Sequence, residues 1–208
     1  MPQLIRVRPT KIELVRLKRR LSLAKRVQKI VKDRLSILTM EFLQVARESV
    51  VKKKSLIEEF ARAYRSQMVA AGYHGYIALE KDLVASETDL RITTGSRNVA
   101  GVRTPIFELK QGKASWGYSL IDTSSAVDEA AESFQRCLEA VIELAELQRN
   151  LELLGMEIKR AKRVSNALEY VVLPNLQVTI KFLKMKFEER EREEKSRLKR
   201  VKILLGSR

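Results

Sequence analysis

The sequence predicts an all-α protein: a long two-helix antiparallel coiled coil with a small central module that contains a β-hairpin. Three observations lead to this fold class. Two long segments contain few helix-breaking residues and carry apolar residues at alternating spacings of three and four. The segment between them holds most of the glycines and has β-favouring stretches. Charged residues make up 32% of the 208 residues and aromatic residues only 6%, which suits long exposed helices better than a thick globular core.

The first helix is predicted within residues 1–71, since no Pro or Gly interrupts the chain from Thr10 to Ala71. Thr10 is the expected N-cap, and Glu13 three residues later completes a capping-box pattern. Gly72 is expected to follow the last helical residue. The residues expected on the coiled-coil seam are Leu14, Leu17, Leu21, Ala24, Gln28, Val31, Leu35, Leu38, Phe42 and Val45.

Residues 72–124 form the predicted central module. Leu90–Thr94 and Val99–Leu109 favour β-strands, and Gly95–Asn98 between them has turn chemistry, so the simplest interpretation is a β-hairpin that turns at residues 95–98. Pro105 is then expected on an edge strand or at a bulge. Trp116 is interpreted as an anchor of this module.

The second helix is predicted within residues 125–208, opening at Ser125 and Asp128, which form an S-x-x-D start. Gly155 and Pro174 are its expected weak points, and Pro174 is expected to kink the helix about one turn upstream. The residues expected on its seam are Val127, Ala130, Phe134, Cys137, Val141, Leu144, Leu151, Leu154, Ile158, Ala161, Leu168 and Val172. The two apolar stripes are best buried if the second helix folds back along the first, which brings both termini to one end.

The chain has little that indicates catalysis. It contains neither a G-x-x-x-x-G-K-[ST] phosphate loop nor a G-x-G-x-x-G motif, so we expect no nucleotide or other cofactor to bind. His74 is the only histidine, which leaves a His-based metal cluster or a Ser-His-Asp triad without its other members. Cys137, the only cysteine, falls on the predicted seam and is expected to be packed rather than nucleophilic.

The net charge of +15 indicates an anionic partner, which could be nucleic acid, anionic lipid or an acidic protein surface. The first 34 residues are strongly basic, but they lack the aromatic residues that would stack on bases. The sequence has no run of about 18 apolar residues and no signal-peptide pattern, so we expect a cytoplasmic protein, attached to a membrane only through partners.

Three segments, in this order, resemble the D subunit of V-type and archaeal A-type ATPases. Arg8–Leu21 with Met40–Leu43 is similar to the opening of that family, Asn98–Glu108 to its middle segment, and Arg163–Pro174 to its second signature. The resemblance spans nearly the whole chain. It implies a non-catalytic central-stalk rotor that transmits torque between the catalytic hexamer and the transport of protons or sodium ions by the membrane ring.

The resemblance also implies partners. The terminal end would stand inside the hexamer of catalytic A and non-catalytic B subunits, the small F subunit of the stalk would bind alongside, and the other end would rest on the funnel subunit above the membrane ring. The expected hexamer contacts are basic residues near the two termini: Arg16, Arg19, Arg20, Lys184, Lys186, Arg190 and Arg200. The expected contacts of the small stalk subunit lie on the flank of the coiled coil: Glu48, Tyr64, Phe134 and Leu151.

Two other classes of protein stay open at this point. A basic coiled coil that binds nucleic acid would show tight binding with a steep negative dependence on salt. A prefoldin-like holding chaperone, which also joins a helical hairpin to β-structure, would suppress the aggregation of unrelated proteins.

Overall fold

The computed structural model describes residues 4–85, 90–111 and 124–206. Its elements, in chain order, are helix α1 (Lys11–His74), helix α2 (Tyr76–Ala85), strands β1 (Leu90–Val99) and β2 (Val102–Gln111), helix α3 (Ser125–Ala167), a π-helical segment (Leu168–Val172) and helix α4 (Leu173–Gly206). The predicted all-α coiled coil with a small β-hairpin is confirmed. Trp116 lies outside the described residues.

The chain divides into two compact units. The terminal unit comprises Met1–Ser36 and Lys159–Arg208, and the central unit comprises Ile37–Ile158. Helices α1 and α3 each contribute to both.

In the terminal unit, Leu17 of α1 packs into a cluster with Leu176, Ile180 and Leu183 of α4. Further along α1, Lys32 forms an ion pair with Glu169. The later part of α1 thus meets the earlier part of the second helical run, so the pairing is antiparallel. The segment before α1 also lies against α4, because the backbone N–H of Ile5 donates to Oγ1 of Thr179 at 3.1 Å.

The helices of the central unit are antiparallel as well. Lys52 of α1 pairs with Glu143 of α3. Further along α1, Phe60 meets Phe134 edge to face, with ring centroids 6.4 Å apart. At the end of this unit where α1 gives way to α2, Ala70, Leu79, Val127 and Ala130 form a buried cluster.

The predicted seam of α1 is confirmed, since every residue expected on it from Leu14 to Val45 is buried or half-buried. The seam residues are protected because they repeat every three or four positions on one face. Beyond Val45 the buried positions of α1 change character and include the small residues Ala63 and Ala70.

The predicted β-hairpin is present, but its predicted turn is wrong. Residues 95–98 lie inside β1, and the turn is formed by Ala100 and Gly101, with φ of 51° and 85°. Positive φ at both central residues is typical of a type I′ turn, whose twist matches that of two paired strands. This placement lets Val102 pack into a buried cluster with Leu38 and Leu154. Turn-forming composition at residues 95–98 was therefore overridden by tertiary packing.

Two helix ends differ by a few residues from the prediction. Helix α1 continues through Gly72 and ends at His74, and Gly75 takes the left-handed conformation after it, with φ of 78°. The N–H of Gly75 donates to the carbonyl of Ala71 at 2.9 Å, closing the last turn. Helix α3 begins at Ser125, so the cap position belongs to Ser124, one residue earlier than expected. The expected cap of α1 is confirmed, because Thr10 Oγ1 accepts the N–H of Glu13 at 3.3 Å.

The weak point expected at Pro174 is a π-helical segment, Leu168–Val172, directly upstream of the proline. The Leu173 N–H donates to the carbonyl of Leu168, five residues back, so the segment holds one residue more than an α-helical turn. The extra residue shifts the buried face. Val172, predicted on the seam, is 38% exposed, whereas Leu173 is 8% exposed in its place. Val141, also predicted on the seam, is exposed.

Candidate partner-binding surfaces

The predicted basic contacts near the termini are all exposed: Arg16, Arg19, Arg20, Lys184, Lys186, Arg190 and Arg200. Arg16 is held by Glu13, with Nη1 and Oε1 2.6 Å apart, and Nζ of Lys186 lies 5.4 Å from the centre of the Phe182 ring. Both contacts are at the surface, where such pairs contribute little to stability. These side chains are therefore available to a partner at small cost.

Helix α4 continues as an exposed extension. Every residue from Glu188 to Gly206 is exposed, whereas the last half-buried residue before them is Phe187. Arg190 and Arg200 lie on this extension, whereas Lys184 and Lys186 lie on the part of α4 that packs against α1. Phe187 is the last residue of α4 that packs in the buried cluster with α1.

The α4 extension also carries an apolar face, although most of its residues are charged. Leu198, Val201 and Leu205 are exposed at helical spacings of three and four, and Ile203 and Leu204 adjoin them. The spacing could have revealed this face in the sequence. An exposed contiguous apolar patch rimmed by charge is typical of a protein–protein contact site.

The flank of the central unit carries a second exposed apolar stripe. Val50, Ile57 and Tyr64 repeat at intervals of seven on α1, with Phe60 and Met68 on the same side, and all five are exposed. Residues seven apart return to the same helix face after two turns. Of these five residues, only Tyr64 is among the flank contacts predicted from the sequence. The repeat of seven was the available signal, but by itself it does not distinguish an exposed stripe from a core stripe.

The other predicted flank residues differ from one another in their exposure to solvent. Glu48 is exposed and accepts a hydrogen bond from Nε2 of Gln44 at 3.1 Å. Phe134 and Leu151 are half-buried, and the Phe134 ring is engaged by Phe60. Phe134 thus packs against Phe60 of the stripe and is not itself one of the exposed stripe residues.

A groove of about 510 Å³ lies between α1 and α3 near these residues. Val51 and Leu147 contribute apolar walls, and Arg47, Lys52 and Glu143 line its rim. The hydrogen bond from Lys52 to Glu143, with their mutual attraction, raises the pKa of Lys52 above its ordinary value. The groove is thus crossed by an ion pair that joins α1 to α3.

The β-hairpin is attached to α3 by a specific polar contact. The backbone N–H of Phe107 in β2 donates to Oε2 of Glu146 at 2.9 Å. Beside this contact lies a smaller cavity of about 150 Å³, which is lined in part by Arg97, Thr104 and Asn150. The hairpin is held by this bond and by Val102 in the buried cluster.

The residues considered for chemistry have structural partners. Nε2 of His74 accepts the backbone N–H of Ser124 at 2.6 Å, which ties the end of α1 to the start of α3. Cys137 is buried as expected, and burial raises the pKa of its thiol. Within residues 4–85, 90–111 and 124–206, no three His, Cys, Asp or Glu side chains are placed to hold a metal ion. In the same part of the chain, no helix is long and apolar enough to cross a membrane.

Long paired helices with exposed apolar stripes and a charged helical extension define a coiled-coil assembly subunit, a class of protein that acts through its partner surfaces. Known proteins are similar to this chain over almost its whole length. Residues 13–203 match the family model that describes the D subunit of ATP synthase. The chain belongs to the family of ATP synthase D subunits.

Three curated relatives, each named as the D subunit of A-type ATP synthase, illustrate the similarity. The protein of Pyrococcus furiosus is 41% identical over 211 residues, which cover 100% of this chain and 99% of the relative. That of Methanopyrus kandleri is 39% identical over 201 residues, covering 96% and 87%. That of Thermococcus kodakarensis is 36% identical over 211 residues, covering 100% and 99%.

Proposed function

We propose that this chain is the central-stalk rotor subunit of an A-type or V-type rotary ATP synthase. It transmits torque between ATP synthesis or hydrolysis in the hexamer of catalytic A and non-catalytic B subunits and the transport of protons or sodium ions by a membrane ring. The family match over residues 13–203 is the observation that carries this proposal. The chain itself catalyses no reaction, and it works in the cytoplasm, at the membrane through its complex.

A rotor couples sites by binding their states unequally. The catalytic interfaces of a hexamer are chemically equivalent, so the rotor can distinguish them only if different sides of it make different contacts. The exposed surface of the terminal unit is asymmetric in this way. It presents arginines on α1, lysines on α4, and mixed charge with an apolar face on the α4 extension.

The terminal unit is the part that engages the hexamer in this proposal. Its basic residues bind acidic or polar groups in the lining of the hexamer, and Leu198, Val201 and Leu205 add apolar contact at the α4 extension. Each exposed ion pair contributes about 0–1 kcal/mol, so the contribution of the basic residues is collective.

The test replaces Arg16, Arg19, Arg20 and Lys184 together with Ala. We expect helicity and binding of the small stalk subunit to be kept, while assembly with the hexamer and ATP-driven ion pumping fall. The matched control removes the same charge at four exposed residues elsewhere in the terminal unit: Lys159, Arg160, Lys162 and Arg163. Normal assembly and pumping by the first variant at moderate ionic strength would refute the role of these residues.

The flank of the central unit binds the small F subunit of the stalk in this proposal, through Glu48, Tyr64, Phe134 and Leu151. The exposed stripe at Val50, Ile57 and Tyr64 supports this placement, because it offers apolar area that the chain itself leaves in water. Val51, which lines the groove together with Leu147, follows Val50 of the stripe directly in the sequence.

Hydrogen exchange with and without the companion subunit tests the flank site. Protection is expected at residues 48–64 and 134–151. Ile57→Ser with Tyr64→Ser should weaken binding at least tenfold, whereas Ile30→Ser, at an equally exposed residue of the terminal unit, should not. Protection confined to residues 1–25 and 184–208 contradicts this placement.

The funnel subunit above the membrane ring binds the corner between α1 and α2 in this proposal. Tyr73, Tyr76 and Ile77 are among the most exposed large apolar residues of the chain, with Ile77 at 84%. They flank Gly75, whose left-handed conformation turns the chain there. Aromatic side chains at an exposed corner suit a protein contact, since Tyr and Trp are enriched at interfaces.

A further inference from the structure

The π-helical segment Leu168–Val172 inserts one residue into the buried face of the second helical run. The Leu173 N–H donates to the carbonyl of Leu168, whereas an α-helix would use the carbonyl of Glu169. One row of buried and half-buried residues follows this face in steps of three or four, with a single step of five: Ala161, Ser165, Leu168, Leu173, Leu176, Ile180, Leu183 and Phe187. The step of five, from Leu168 to Leu173, locates the insertion.

On the C-terminal side of the insertion, Pro174 decides between two possible registers. If the insertion moved past Pro174, Val172 would be buried in place of Leu173, as simple periodicity predicts. The two side chains are both apolar and differ by one methylene, so burial alone distinguishes the registers only weakly. In an unbroken α-helix, however, the ring of Pro174 would clash with the carbonyl of Tyr170, four residues back. The π-helical turn lies directly upstream of this ring, where it changes that spacing.

On the N-terminal side of the insertion, Glu169 opposes movement. If the insertion moved one turn upstream, Glu169 would enter the buried row, because it lies four residues before Leu173, and Leu168 would turn outward. In the structure the Glu169 carboxylate lies 2.7 Å from Nζ of Lys32 and accepts a hydrogen bond from the side chain of Gln28. Gln28 is the one polar residue of the predicted α1 seam. Moving the carboxylate away from these partners and from water is unfavourable.

We infer that Pro174 and the contacts of Glu169 hold the insertion from its two sides, so that α4 keeps one register against α1. A shift of one residue turns a helix face by about 100°. The register therefore decides that Val172, and not Leu173, lies at the surface beside the exposed residues Tyr170 and Val171. This inference goes beyond the proposed rotor function, because it concerns the terminal unit alone, whatever complex the chain joins.

Labelling of single cysteines with iodoacetamide measures the register. Each protein is the full chain with Cys137→Ala, so that the engineered thiol is the only one. Val172→Cys should react at least tenfold faster than Leu173→Cys, because the first side chain is exposed and the second is buried. Adding Pro174→Ala should abolish or reverse this difference. Gln177→Ala, at an exposed residue of the same helix, should leave it unchanged.

Scalar couplings across backbone hydrogen bonds, measured by NMR, test the register without a cysteine. In the natural sequence the amide of Leu173 should couple to the carbonyl of Leu168. In Pro174→Ala the coupling should move to the carbonyl of Glu169, which is the α-helical acceptor. This variant is expected to fold, because Ala is a far better helix former than Pro. Protection of the amide of Leu183 from hydrogen exchange shows that α4 is intact.

The contacts of Glu169 are tested by Glu169→Leu in the same labelling assay. A leucine at this position can enter the buried row, so the insertion becomes free to move upstream and Leu168 turns outward. We therefore expect Leu168→Cys to react at least threefold faster when Glu169→Leu is added. Tyr170→Leu introduces the same residue at an exposed position of the same turn, and it should not change the rate.

Three results would overturn the inference. If the difference between residues 172 and 173 and the original coupling both survive Pro174→Ala, packing sets the register without the proline. If residues 168, 172 and 173 all react fast in Pro174→Ala and the Leu183 amide loses protection, the proline stabilises the helix and does not fix its register. An unchanged rate for Leu168→Cys in Glu169→Leu would mean that the contacts of Glu169 do not hold the insertion.

Discussion

The attachment of the hairpin to the coiled coil is predicted to depend on Leu154. This side chain of α3 is 1% exposed and packs with Leu38 of α1 and Val102 of the hairpin. Leu154→Ala removes apolar area with a transfer free energy of about 2–3 kcal/mol. The substitution also leaves a cavity, because the hairpin can move only partly into the vacated space. We therefore expect the free energy of unfolding to fall by about 3–4 kcal/mol, within the usual range of roughly 2–5 kcal/mol for buried leucines.

Urea unfolding followed by circular dichroism measures this loss, with Leu43→Ala as the matched control. Leu43 is on α1 and 50% exposed, so its truncation should reduce the free energy of unfolding by less than about 1 kcal/mol. Amide exchange in β2 should also accelerate in Leu154→Ala and not in the control. If the two variants lost equal stability, Leu154 would not be the anchor that the packing indicates.

Two further predictions concern the turn and the π-helical segment. Gly101→Val should destabilise the hairpin by about 1–3 kcal/mol, because a β-branched residue is strained at φ of 85°; amide exchange in β1 and β2 measures this, and unchanged protection contradicts it. The hydrogen bond from Lys32 lowers the pKa of Glu169, so Lys32→Met should return that pKa toward its ordinary value in carbon-13 NMR, while Lys29→Met should not. Since the folded pKa is the lower one, the stability that the pair contributes is present above the ordinary carboxyl pKa and is lost as the pH falls through the folded value.

The sequence determined the helices and the α1 seam because both follow from local chemistry. A spacing of three and four puts Leu14, Leu17 and Leu21 on one face whatever that face contacts, and Thr10 caps its helix through a residue three positions away. The family resemblance likewise came from residues in order along the chain. These features are readable because they repeat or lie close together in sequence.

The tertiary structure decided the features that depend on distant residues. The hairpin turns at Ala100–Gly101 because that register buries Val102 against Leu38 and Leu154, which are far apart in sequence. The seam shifts from Val172 to Leu173 because a π-helical residue is inserted before Pro174.

Some exposed surfaces could be predicted from the sequence, whereas others are identified only by the tertiary structure. The basic residues near the termini could be named from composition, and they are exposed. The apolar stripe at Val50, Ile57 and Tyr64 could not be told from a core stripe by its spacing, since both repeat every seven residues. Only the packing of α3 against the opposite side of α1, around Ala63 and Ala70, shows which stripe is left in water. Periodicity identifies a face of a helix, but the contacts of a neighbouring element decide whether that face is core or surface.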